Sequence, residues 1–178
     1  LPRYVSPYDE KADLNDRART YLQVNCSICH VSDGGGNSYI ELAYGRKLEE
    51  TQTVGTRPVQ GTFGIPDAKV IAPGEPERSV LFYRVSSLGG ARMPRVGSRV
   101  VDAQALALLH DWISRMPSPA ASAATKTARD ETAALVGVLR KGDNPARADA
   151  IRRLLDSTSR ALALATALGR GEIPPEIA

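Results

Sequence analysis

Two cysteines three positions apart, with a histidine directly after the second, constrain this chain more than any other stretch: Cys26-Ser27-Ile28-Cys29-His30. Thiols at this spacing can form thioethers with the vinyl groups of a haem, and the adjacent imidazole is then held where it can ligate the iron. The run therefore predicts one covalently attached haem c, held by Cys26 and Cys29 with His30 as an iron ligand. Both cysteines of the chain lie in this run, so no structural disulfide is expected elsewhere.

An iron that carries electrons also needs a sixth ligand, commonly a methionine thioether. The chain has two methionines, Met93 and Met116. Met93, in Arg92-Met93-Pro94, is the expected ligand, because it falls in a loop between helices where Pro94 fixes the backbone beside a side chain that has to be aimed. His110 is expected to point away from the core stripe of its helix, and Met116, at the end of that helix, is expected to pack. The site residues are thus Cys26, Cys29, His30 and Met93, with His30 and Met93 on the metal.

The rest of the chain reads as mostly α. Residues 1–12 form an extended lead-in. Asp13 caps a first helix whose apolar stripe, Leu14, Ala18, Tyr21 and Leu22, runs into the Cys26 motif. Gly34-Gly35-Gly36-Asn37 then stops the helix and supplies a flexible turn; with no following Lys-Ser or Lys-Thr, it is not a phosphate loop. A short helix over 38–43 and extended pieces over 54–65 are expected in a weakly patterned region. Pro76 starts a short helix to about Ser86. Asp102 caps a further helix to Arg115, with Leu106, Leu109, Trp112 and Ile113 on one face, that should cross the first one. Residues 118–126 are a Ser/Pro/Ala linker. Beyond it, stretches at about 128–140 and 145–168 make a helical hairpin. Gly142-Asp143-Asn144-Pro145 turns between them, and Ile151, Leu154, Leu155, Thr158, Leu162, Ala165 and Leu168 form a stripe. The expected division is therefore 1–12, a domain over 13–117, a linker over 118–126, and a hairpin with tail over 127–178.

Aromatic residues make up only 5% of the chain, a thin supply for a core that a buried porphyrin would supplement. The net charge of +3 gives no reason to expect a nucleic-acid partner. From residue 78 to 99, however, there are arginines at 78, 84, 92, 95 and 99 and no acidic residue. This run surrounds Met93 and reads either as a solvated loop or as a surface that docks a redox partner or holds the haem propionates. Covalent haem attachment implies a periplasmic or otherwise extracytoplasmic location. No signal peptide is evident, and a start at Leu1 is expected of a processed or excised segment. No apolar run reaches about 18 residues, so no membrane span is expected.

The Cys26–His30 motif, the Met93-Pro94 pair and the Leu109–Ile113 helix together resemble a class I monohaem cytochrome c domain over residues 13–116. More narrowly, Arg17-Ala-Arg-Thr-Tyr-Leu, Val70-Ile-Ala-Pro-Gly-Glu-Pro-Glu-Arg-Ser-Val-Leu and Met93-Pro-Arg-Val-Gly-Ser followed by Val101-Asp102 resemble cytochrome domains of planctomycete and related bacteria. Those are often fused to, or encoded with, propeller-type dehydrogenases. The resemblance implies a class I cytochrome c fold with a C-terminal helical hairpin extension. It also implies an electron carrier, not an enzyme in itself, serving a redox protein or dehydrogenase domain. One departure concerns His30: residues 31–50 contain no proline whose carbonyl could hold its ring.

Other uses of the motif fit less well. A thioredoxin-type dithiol calls for a strand-helix alternation that the pattern lacks. A zinc site would have to recruit His110 to Cys26, Cys29 and His30. A haem enzyme or ligand sensor would need a displaceable sixth ligand, against which Met93 argues.

Overall fold

The computed structural model describes residues 3–97, 99–118 and 123–174. Among them are six α-helices and no named strand: α1 (Leu14–Asn25), α2 (Val80–Ser86), α3 (Ala103–Ser114), α4 (Ala123–Lys141), α5 (Asn144–Leu155) and α6 (Thr158–Gly169). The chain divides into two compact units, one of residues 1–62 and 67–117, the other of residues 63–66 and 118–178.

In the first unit α1 and α3 each start from a capping aspartate. The Asp13 carboxylate accepts the N–H groups of Asn15 and Asp16, and Asp102 accepts that of Ala105. Each satisfies amides that the first turn of a helix leaves without a partner. From α1, Ala18, Tyr21 and Leu22 are buried; from α3, Ala105, Leu108, Leu109, Trp112 and Ile113. The two helices meet, and the indole N–H of Trp112 donates to Asn15 Oδ1 at 3.1 Å. Leu106 stands only half-buried, so the buried stripe of α3 runs through Leu108 instead. The expected lead-in is tied down: the Tyr8 hydroxyl donates to Asp102 Oδ2 at 2.5 Å, Arg17 Nε to the Pro7 carbonyl at 2.8 Å, and Tyr4 packs edge-on against Tyr44.

Between α1 and α2 the expected helix over 38–43 does not form. Those residues are irregular, and a single 3₁₀ turn occurs later, at Leu48–Glu50. The extended pieces do not pair as strands either; two isolated parallel bridges, Val54 with Ile71 and Lys69 with Ser79, stand in their place. The backbone is satisfied by long-range bonds such as Glu41 N–H to the Thr51 carbonyl and Val70 N–H to the Thr56 carbonyl. Arg19 completes the arrangement from inside. Only 5% exposed, it donates through Nη2 to the carbonyls of Ala43, Tyr44 and Arg46. Pro76 opens a 3₁₀ turn to Arg78 as expected, but Ser79 breaks it from α2, and Gly89–Ala91 forms a further 3₁₀ turn.

The second unit is a three-helix assembly rather than a hairpin. α5 starts as expected, with Asp143 accepting the Ala146 N–H and proline in the first turn. The stretch 145–168 is not continuous, however: it breaks at Asp156 and restarts where the Ser157 hydroxyl accepts the Arg160 N–H. The break changes the helical phase, which leaves Leu155 and Ala165 exposed. The core is formed by Leu135, Leu139, Ala150, Leu154, Ala167 and Ile173. Of the expected linker, residues 119–122 lie outside the described residues, and from Ala123 the chain is already in α4. Among the described residues no helix is long and apolar enough to cross a membrane.

Candidate functional site

The motif begins where α1 ends. Cys26 is the C-cap of that helix, its N–H still bonded to the Leu22 carbonyl. One turn then carries the remaining residues: the N–H groups of Cys29 and His30 both reach the Cys26 carbonyl, at 3.1 and 2.9 Å. Ser27 locks this turn to the helix. Its buried hydroxyl donates to the Gln23 carbonyl at 2.5 Å and accepts from Gln23 Nε2 at 2.8 Å. Gln23 Oε1 in turn accepts the Tyr44 N–H at 2.6 Å, so one side chain joins α1, the motif and the loop that Arg19 shapes.

The two thiols are free of each other and unlike. Cys29 is exposed, whereas Cys26 is half-buried and its thiol is pushed up to about 12, mainly by burial and then by Cys29. This separates the motif from a redox dithiol. Such sites lower a thiol pKa at a helix N-terminus; here the thiol is raised, at the end where the helix dipole disfavours an anion.

His30 is held by backbone rather than by a side chain. Its carbonyl accepts the Leu42 N–H at 2.8 Å, and its Nδ1 is buried without a hydrogen bond. Burial, and then the charge of Arg84, hold its pKa below the usual histidine value. The ring is thus kept neutral, the form in which imidazole binds metals. The glycine run does more than turn the chain. Gly36 donates to the Cys29 carbonyl at 2.9 Å and lies so close to His30 that a Cβ there would meet Nδ1 at 2.9 Å and Cε1 at 3.0 Å. A side chain would occupy the space the imidazole needs.

Met93 is half-buried in the irregular segment after the Gly89–Ala91 turn, with its N–H bonded to the Arg84 carbonyl at 3.0 Å. Arg84 therefore adjoins both candidate ligands: its backbone holds Met93, and its charge acts on His30. Its guanidinium also donates to the Ala91 carbonyl. The arginine run is not a uniform docking face. Arg78 pairs with Glu75 and Asp67, Arg92 is buried, and Arg95 and Arg99 are left exposed.

His110 and Met116 stand elsewhere. His110 is largely buried, with Nε2 3.4 Å from Glu77, Nδ1 3.5 Å from Asp111 and its ring edge-on to Phe82. Its expected position away from the core is therefore replaced by one packed against α2. Met116 is half-buried at the end of α3. Among the described residues no three His, Cys, Asp or Glu side chains converge as a metal-holding group, so the four-ligand zinc arrangement does not assemble.

The residues fit a haem on three counts: unpaired thiols on one turn, a neutral imidazole whose buried Nδ1 is unbonded, and an apolar rim. Val24, Ile28 and Tyr39 beside the motif, and Leu88, Val96 and Val100 around Met93, are all exposed; Ile28 is 82% and Val96 85% exposed. Apolar surface gathered on both segments that carry candidate ligands is what a large flat apolar group would cover. Gln23 and Ser27 belong to this site and were given no role from the sequence. Gly36, Arg84 and Arg92 carried a signal only as members of the triple glycine and of the arginine run. Compared with known proteins, the chain matches no family model, no curated protein and no solved structure.

Proposed function

We propose that this chain is a monohaem c-type cytochrome with a class I fold, an electron carrier rather than an enzyme in itself. Cys26 and Cys29 would hold the haem c, and His30 and Met93 would be its axial ligands. The carrier would serve a redox protein or dehydrogenase domain outside the cytoplasm. The observation that supports this most directly is the turn at the end of α1, which presents two unpaired thiols and a neutral, unbonded imidazole together. When bound there, a haem iron with two fixed ligands supplies reversible one-electron exchange. The chain's own residues then have simple tasks. Ser27 and Gln23 hold the attachment turn to α1, and Gly36 leaves room for the imidazole. Arg95 and Arg99 present positive charge beside the Met93 segment, where an acidic partner would be steered.

Acid-acetone extraction of the purified protein tests the attachment. Haem is expected to stay with the polypeptide, and to pass into the organic phase when Cys26 and Cys29 are both replaced by serine. A colourless protein, or haem that extracts freely from the unaltered chain, overturns the reading.

A further inference from the structure

We infer that Arg92 is the positioning residue that aims Met93, an inference that rests on Met93 being the sixth ligand. The segment that carries Met93 has little means of holding itself. Its described residues from 92 to 102 are irregular, and the large apolar side chains on it and just before it point outward: Leu88 is 66%, Val96 85% and Val100 76% exposed. Hydrophobic packing by these residues therefore does not fix the loop.

Arg92 does. It is 8% exposed, and its guanidinium donates through Nη1 to the Ser87 carbonyl at 3.2 Å and through Nη2 to the Val100 carbonyl at 2.7 Å. Those carbonyls lie at opposite ends of the loop, 13 residues apart (100 minus 87), so one side chain closes the segment from within. Its own N–H reaches the Gly89 carbonyl at 3.1 Å, and the next N–H, that of Met93, reaches Arg84 at 3.0 Å. Both backbone positions leading into Met93 are thereby fixed.

A methionine needs this. Its unbranched side chain turns about three bonds and adapts to whatever surrounds it, so the backbone must supply the direction. The planar fork of arginine suits two carbonyls at once, whereas a lysine ammonium offers a point charge on a flexible stem. Arg95 and Arg99, both exposed, do not share this role.

The test compares wild type, Arg92→Met and Arg92→Lys in the purified protein. Three properties are measured below the melting transition: the near-infrared methionine-to-iron band, the ferric affinity for imidazole, and hydrogen exchange at the Met93 amide. Arg92→Met is expected to weaken the band. It should also bind imidazole about tenfold more tightly, because a larger fraction of molecules has the sixth position open, and exchange the Met93 amide faster. Arg92→Lys should fall between. A purely structural role would lower the melting temperature and leave band and affinity unchanged, which overturns the proposal. If Arg92→Met does not fold, Arg92→Lys decides on the same readouts. A wild type that lacks the band refutes Met93 ligation and the aiming role with it. If the wild type has the band but Arg92→Met exchanges the Met93 amide no faster, the anchoring by Arg92 alone is refuted.

Discussion

Gly36→Ala adds one methyl group where the site has no room for it. The new Cβ would fall 2.8 Å from the Cys29 carbonyl oxygen, 2.9 Å from His30 Nδ1 and 3.0 Å from His30 Cε1, against an ordinary contact of 3.4 Å or more. The neighbours must therefore yield by 0.6, 0.5 and 0.4 Å respectively. The Cys29 oxygen is poorly able to do so, because it already accepts the Gly36 N–H at 2.9 Å. Either that bond breaks or the imidazole is displaced, and overpacking of this kind costs about 1–3 kcal/mol. Gly35→Ala is the control, since a Cβ there meets nothing within 4 Å. It should stabilise by about 0.4–1 kcal/mol through the unfolded chain. The assay is urea unfolding followed by the fluorescence of Trp112, the one tryptophan, buried in the first unit. With slopes of about 1–3 kcal/mol per molar urea, the two midpoints should differ by roughly 1 M. Equal midpoints, or a more stable Gly36→Ala, would refute the claim that this glycine makes room for His30.

Arg19→Met keeps the bulk of a long side chain and removes the donor to the Ala43, Tyr44 and Arg46 carbonyls. It should cost about 1.5–3 kcal/mol, the worth of hydrogen bonds to a charged group, measured by the same unfolding assay; a loss below about 0.5 kcal/mol, the range of ordinary surface changes, would count against the role of Arg19 in shaping the loop. The Tyr8 phenol is raised from 10.0 to about 12, chiefly by its hydrogen bond to Asp102 and then by burial and the Asp102 charge. A folded pKa above the unfolded one means that the contribution of Tyr8 is fully present below pH 10.0 and is lost as pH rises towards about 12. The stability difference between wild type and Tyr8→Phe should therefore be constant below that window and shrink across it, and a difference that does not vary with pH would contradict the assignment.

What could be read from the sequence is local. The end of α1 at Cys26, the Asp13 and Asp102 caps and the Asp143-Asn144-Pro145 start of α5 each depend on residues within one helical turn, and each forms as the pattern says. What escaped depends on partners far along the chain. Residues 38–56 carry no period because their backbone bonds run to His30, Thr51 and the buried Arg19. The arginine run appeared as a single charged face because sequence does not reveal which guanidinium turns inward; Arg92 does, and Arg78 meets Glu75. The break between α5 and α6 was signalled by Asp156-Ser157-Thr158, but the leucine stripe continued across it and masked the cap.

The two loops nearest the candidate ligands are pinned by guanidinium groups that donate to backbone carbonyls, Arg19 to residues 43–46 and Arg92 to residues 87 and 100. A carbonyl has no proton to gain, and a guanidinium keeps its own at any ordinary pH. These attachments are therefore insulated from acid. They also lack the opposite charge that dissolved salt screens. The pairs of Arg160 with Glu131, Arg140 with Glu172 and Arg152 with Asp149 in the second unit are charge-to-charge contacts reached by water, the kind that ionic strength weakens. Added salt thus loosens these three pairs while the two arginine pins on backbone carbonyls hold.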